Sequence, residues 1–199
     1  MRFSEIEKRD LLNASLLLSL AFAILLSGGI NFLFTLSPGV FFIFLASFLS
    51  AGLAFIAHEL MHKFVAQRYG LWAEFRAFYP SLWLALFFSL FGFIIAAPGA
   101  VMISGRVTRE KNGKIALAGP LTNLFLAIAF FLLARLPLHN FLAGISHLGL
   151  VINSLLAVFN MIPVHPFDGA KVLAWSRLAY ALITILAVAV FILSYFKIA

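Results

Sequence analysis

The 199-residue sequence contains no cysteine. That excludes disulfides, cysteine nucleophiles and thiolate metal sites, and it says little about compartment. Charge is scarce too. Only 11% of residues are charged and 64% are hydrophobic, against about 25% and about 45–50% in a soluble domain. The chain therefore reads as an all-α polytopic membrane protein with the bilayer as its solvent. Aspartate is nearly missing, with only Asp10 and Asp168 present. Solenoid repeats and low-complexity segments are absent as well. The net charge of +7 does not point to nucleic acid. Its Lys and Arg lie in short loops between apolar runs, where they set orientation and meet anionic lipid.

What is present is a series of apolar runs, at 11–34, 40–66, 81–103, 115–135, 143–162 and 178–196. They predict a single integral-membrane domain, residues 1–199, built as a bundle of five to six transmembrane helices. Met1 to Asp10 carries both signs of charge and no small-residue cleavage pattern, so the first run is expected to be a retained helix rather than a signal peptide. Thr35 to Gly39 reads as a tight turn. Residues 67–80 read as an aromatic-rich interfacial loop.

The run at 81–103 is broken by Gly92 and by Ala97-Pro98-Gly99-Ala100, and basic loops flank it on both sides. A simple crossing would place positive charge on both faces of the membrane. We favour a re-entrant hairpin, which returns the chain to the side it came from. Irregular backbone at membrane depth is tolerated where it lines a protein cavity. Every basic loop (the N-terminus, 67–80, 104–114 and 171–177) then falls on one side, which the positive-inside rule makes cytoplasmic. The C-terminus falls outside.

Within the second run, residues 55–64 read Phe-Ile-Ala-His-Glu-Leu-Met-His-Lys-Phe. On a helix, His58 and His62 share one face a turn apart and can hold one zinc ion. Glu59, one step round, can reach a water at that ion. Three ionisable side chains in one turn of an apolar segment are costly unless they pair or bind something.

A catalytic zinc site takes three protein ligands and leaves the fourth position to water. Asp168 is the assigned third ligand, because it follows a helix broken by Pro163 and Pro166 at matching depth. His165 is its rival. Asp10 reads as a solvated flank, and His139 and His147 lie towards the opposite face. Asn160 is a candidate hydrogen-bond donor to a developing oxyanion. Asn123 reads as helix–helix glue.

His58-Glu59-x-x-His62, Ala118-Gly119-Pro120-Leu121-Thr122-Asn123 and Asn160-x-x-Pro163-x-x-Pro166-x-Asp168-Gly169 occur in that order. Together they resemble the site-2 protease family of intramembrane zinc metalloproteases, over roughly residues 40–175, the expected catalytic core. The resemblance implies that His58, His62 and Asp168 bind one Zn2+, that Glu59 is the general base, and that Asn160 assists at the substrate carbonyl. It implies as partners the lipid bilayer and a membrane-protein substrate, cut in a transmembrane helix near the cytoplasmic side. The apolar runs and the loop charges, for their part, imply a multi-pass cell-membrane location with a cytoplasmic N-terminus. The Gly-Pro-x-x-Asn helix of the family is structural. An edge strand for the unwound substrate is expected at residues 98–107. The stretch between the first two motifs is longer and more apolar here than a short re-entrant β segment, and one clear span follows Asp168.

A different class of protein, a metal transporter or metal sensor, could use the same His/Asp site without proteolysis. Such a protein needs ligands and a pathway, not Glu59, and the inverted repeats common in transporters are absent. A catalytically dead scaffold is disfavoured by the intact His58, Glu59, His62 and Asp168. Small-residue faces allow helices of separate copies to associate without fixing an oligomeric state.

Overall fold

The computed structural model describes residues 2–34 and 38–196. The turn expected from Thr35 and the last three residues fall outside the described residues. Eight α-helices and a two-stranded sheet are present among those described. Five helices are long and apolar enough to cross a membrane: Glu5–Leu26, Gly39–Arg68, Arg109–Leu133, Asn140–Asn160 and Arg177–Phe196. The chain divides into two compact units.

The first unit comprises Arg2–Ile56 and Glu74–Met102. Helix α1 (Glu5–Leu26) starts at Ser4, whose hydroxyl accepts the Glu7 N–H, and it carries Glu5 and Glu7 where the helix dipole favours negative charge. Helix α2 (Pro38–Ser47) passes through a π-helical turn (Phe48–Gly52) into α3 (Leu53–Arg68), which carries the His-Glu-x-x-His motif. Strand β1 (Trp72–Ala77) follows, then helix α4 (Tyr79–Ser89) and strand β2 (Gly99–Ser104).

The Phe78 N–H donates to Pro98 O at 3.0 Å, which joins the end of β1 to the start of β2, so the strands run antiparallel. Two side chains of α1 cover the other edge of β1. Glu7 Oε1 accepts the Phe75 N–H at 2.9 Å and Asp10 Oδ2 accepts the Ala77 N–H at 3.2 Å. These N–H groups lie two residues apart and so point to the same edge. Asp10 Oδ1 also accepts the Tyr79 hydroxyl at 2.9 Å. Asp10 is thus buried at 4% exposure, not the solvated flank its neighbours suggest. A buried carboxylate persists there because charge-assisted bonds replace its lost water.

The apolar run at 81–103 forms no spanning helix. Its helical part, α4, has 11 residues. At 1.5 Å per residue that is about 16 Å, against roughly 30 Å of hydrocarbon. Gly92 and Pro98 break the segment where the sequence places its breakers, and the chain leaves as β2.

The second unit comprises Ala57–Ala73 and Ile103–Ala199. It holds the motif-bearing part of α3, then α5 (Arg109–Leu133), α6 (Asn140–Asn160), α7 (Asp168–Trp175) and α8 (Arg177–Phe196). Thr108 caps α5 by accepting the Lys111 N–H. Lipid tails are as apolar as leucine, so helix association in a membrane rests on close packing and hydrogen bonds. Both are present here. Ala116, Met161 and Val172 form one buried cluster, and Leu124, Ala157 and Ala187 another. The hydroxyls of Ser154 on α6 and Ser194 on α8 meet at 3.2 Å. Outward residues of α8, such as Leu178, Leu182 and Ile185, are exposed, as lipid-facing side chains should be.

Candidate metal centre

The histidines lie one turn apart on α3, with ring centroids 4.6 Å apart and planes at 85°. Their Nε2 atoms are 2.9 Å apart. Asp168 Oδ2 lies 3.4 Å from His58 Nε2 and 3.0 Å from His62 Nε2. All three side chains are buried, and their ligand atoms form a group able to hold a metal ion.

Asp168 reaches this point because the chain folds back sharply after α6. That helix stops at Met161, ahead of Pro163 and Pro166. The first turn of α7 then rests on the last turn of α6. A Cβ on Gly169 would sit 2.3 Å from Met161 O, so only glycine permits the approach. Lys171, one turn along α7, places Nζ 3.3 Å from Asp168 Oδ1. That interaction engages the carboxylate oxygen turned away from the histidines.

A cation fits this arrangement better than any protein donor does. His62 Nδ1 lies 2.8 Å from the Ile115 backbone carbonyl, which can only accept, so Nδ1 carries the proton. In the neutral ring, Nε2 then offers a lone pair towards the Asp168 carboxylate. His58 Nδ1 lies 2.5 Å from Asn123 Oδ1. Ligands held at about 2.0–2.1 Å in a tetrahedron stand about 3.3 Å apart, and the observed separations of 2.9–3.4 Å bracket that value. Two imidazole nitrogens and one carboxylate oxygen make a zinc donor set with a fourth position open.

Gly119, ahead of Pro120 inside α5, faces the same point. A Cβ there would lie 2.5 Å from His58 Cε1, His58 Nε2 and His62 Nε2. Glu59 is buried beside His58, and among the described residues no hydrogen bond or ion pair engages its carboxylate.

No other histidine or carboxylate among the described residues joins that group. His165 is exposed and outside the metal-binding group. His139 and His147 lie at the start of α6, the end of that helix far from Asp168. Asn160 donates through Nδ2 to Leu156 O at 2.9 Å, one turn back on its own helix. Asn123 joins α5 to His58 on α3 and to Asn153 on α6, the interhelical role its sequence reading expects, and one of those bonds falls on a candidate ligand. Asn153 escapes the sequence reading, whereas Gly119 is named there only as part of a structural motif helix, without its close approach to the histidines. The available signal was that each is a polar or very small residue inside a span.

Asp168→Ala should therefore lower zinc affinity by more than the roughly 10–100-fold that loss of an outer partner costs. His165→Ala should leave it unchanged. Competition with a chromophoric chelator measures both, and a larger loss in His165→Ala would reverse the assignment of the third ligand.

Apolar spanning helices and a buried His-His-Asp centre define the class, a multi-pass membrane metalloprotein. Comparison with known proteins supplies the family. The chain is 46% identical over 157 residues to the provisionally named zinc metalloprotease MJ0611 of Methanocaldococcus jannaschii, spanning 77% of this chain and 82% of that protein. It is 34% identical over 134 residues to the provisionally named zinc metalloprotease Rip3 of Mycobacterium tuberculosis, spanning 61% of this chain and 29% of that protein. It is 28% identical over 123 residues to the zinc metalloprotease MJ0392 of M. jannaschii, spanning 59% of this chain and 30% of that protein. No family model and no solved structure matches. The chain belongs to the site-2 protease-like family of zinc metalloproteases, and its cofactor is Zn2+.

Proposed function

We propose that this protein is an intramembrane zinc endopeptidase that hydrolyses a peptide bond within or near a transmembrane helix of another membrane protein. The observation that carries this reading is the buried His58, His62 and Asp168 group with the unengaged carboxylate of Glu59 beside it. A site that only stores or passes metal has no need of that carboxylate.

His58 Nε2, His62 Nε2 and Asp168 Oδ2 would hold the ion. Zinc there supplies a Lewis acid that lowers the pKa of water and polarises a carbonyl. Glu59 takes the proton of the attacking water and returns it to the leaving amine. Asn160 has one N–H committed to Leu156 O and a second with which to donate to the carbonyl oxygen as it gains charge. We place the catalytic core at residues 40–175 of a single protease domain.

A helical substrate keeps its carbonyls in its own hydrogen bonds, so it must unwind locally before water can attack. We assign β2 to the unwound segment, by strand addition. The side chains of Glu7 and Asp10 already occupy the far edge of β1, and no third strand lies on β2 among the described residues. The distribution of basic loops puts the N-terminus and the metal centre on the cytoplasmic side and the C-terminus outside.

The test is cleavage of a transmembrane-helix reporter by the purified protein in detergent, before and after chelation. Chelation should abolish cleavage and one equivalent of zinc should restore it. Cleavage that survives metal removal would overturn the mechanism. Metal binding without cleavage of any reporter would favour transport or sensing.

A further inference from the structure

We propose that Asn123 and Asn153 form a one-way hydrogen-bond relay that fixes the tautomer of His58 and keeps its Nε2 free for the metal. Both are positioning residues, acting through His58. The inference rests on the metal-centre reading above.

The relay runs through three helices of the second unit. It begins at the Gly149 carbonyl on α6, to which Asn153 Nδ2 donates at 2.8 Å. A backbone carbonyl can only accept, so the amide of Asn153 has one allowed orientation. Its Oδ1 must face the other way, where it accepts from Asn123 Nδ2 on α5 at 3.2 Å. That bond uses the donor of Asn123 and turns Oδ1 towards α3. Oδ1 lies 2.5 Å from His58 Nδ1, and an oxygen with no proton must accept there. Nδ1 therefore carries the hydrogen, and the neutral imidazole presents an Nε2 lone pair to the centre.

Burial makes the direction binding. Asn123 and Asn153 are fully buried and His58 is 6% exposed, so water offers no alternative partner. Flipping either amide would set acceptor against acceptor or donor against donor at two successive links. His62 reaches the same state by a shorter route, its Nδ1 donating straight to the Ile115 carbonyl. The two histidines are thus held in one tautomer by different means. A backbone carbonyl cannot flip, whereas the side-chain amide at His58 can unless something anchors it. Asn153 is that anchor.

The chemistry gives a test specific to direction. Affinity for zinc, and the visible spectrum of the cobalt-substituted protein, are read in detergent for the wild type, Asn123→Leu, Asn123→Asp, Asn153→Leu and the Asn123→Asp/Asn153→Leu double variant. Asn123→Leu removes the acceptor and should weaken zinc binding by about 10–100-fold. Asn123→Asp keeps an acceptor for His58 Nδ1 in either orientation, though its other oxygen then opposes Asn153 Oδ1, and it should bind zinc clearly more tightly than Asn123→Leu. Asn153→Leu should weaken binding by roughly 3–10-fold alone, through loss of the anchor, a fraction of the loss of the acceptor itself. In the Asn123→Asp background it should cost almost nothing, because a carboxylate cannot present the wrong atom. A residue that only packs helices together would lower affinity equally in both backgrounds, and that result would overturn the relay. So would wild-type affinity and an unchanged cobalt spectrum in Asn123→Leu. Should Asn123→Leu fail to fold, the two Asn153→Leu backgrounds still decide. A wild type that takes up neither metal would instead bring down the metal-centre reading itself, and the relay with it.

Discussion

Glu59→Gln should retain one zinc per chain and lose cleavage by about 10²–10⁴-fold, the span that general acid–base catalysis contributes. At 1.36 kcal/mol per tenfold, this corresponds to about 3–5 kcal/mol of transition-state stabilisation. The direction follows from the geometry. Glu59 is not among the three groups whose ligand atoms converge, so the change leaves the donor set intact. The amide matches the carboxylate in size, so the buried space beside His58 stays filled. What disappears is the ability to take a proton. No other titratable group among those whose ligand atoms converge can replace it, because His58, His62 and Asp168 would all be committed as ligands once metal binds. Metal content and single-turnover cleavage, measured on one preparation, separate the outcomes. Retained turnover would remove Glu59 from the mechanism. Lost zinc would mean that its carboxylate contributes to binding.

Gly119→Ala should lose zinc, and with it activity, although alanine is the better helix former. The added methyl would stand 2.5 Å from three ring atoms of His58 and His62, well inside carbon–nitrogen contact distance. The rings cannot swing aside at low cost. His62 is held by the Ile115 carbonyl and His58 by Asn123. Overpacking of this kind costs typically about 1–3 kcal/mol of stability. The effect on metal should be larger, because the methyl intrudes where the ligand atoms converge. Gly144→Ala on α6 is the control. Nothing lies within 4 Å of a Cβ there, so zinc content and melting temperature should be those of the wild type. Full zinc occupancy in Gly119→Ala would mean that the histidines do not pack on α5 as described.

The two predictions draw on different levels of information. The pairing of His58 with His62, and Glu59 beside them, was legible in the sequence, since a turn of helix places i and i+4 on one face wherever the helix lies. The spans were legible for a similar reason. The bilayer demands about 20 apolar residues per helix, and that constraint is written along the chain. The sequence also located the irregular stretch at 81–103, through its glycines, its Ala-Pro-Gly break and the loop charges on either side.

Gly119, Asn123 and Asn153 belong to the other level. Hydropathy treats them as small or polar interruptions of a span, and nothing local tells glue from function. Their roles depend on where α5 and α6 lie against α3, a matter of packing between segments some 30 to 65 residues apart. Asp10 shows the same limit. Its charged neighbours in sequence suggest solvent, yet tertiary contact gives it the Ala77 N–H and the Tyr79 hydroxyl. The sequence by itself determined the membrane class and singled out His58, Glu59, His62 and Asp168 as the candidate site. Only the tertiary structure decided what sets the tautomer of each histidine and why the residue facing them has no side chain. Periodicity and composition record what each segment does alone, whereas hydrogen-bond direction and van der Waals exclusion exist only between segments brought together.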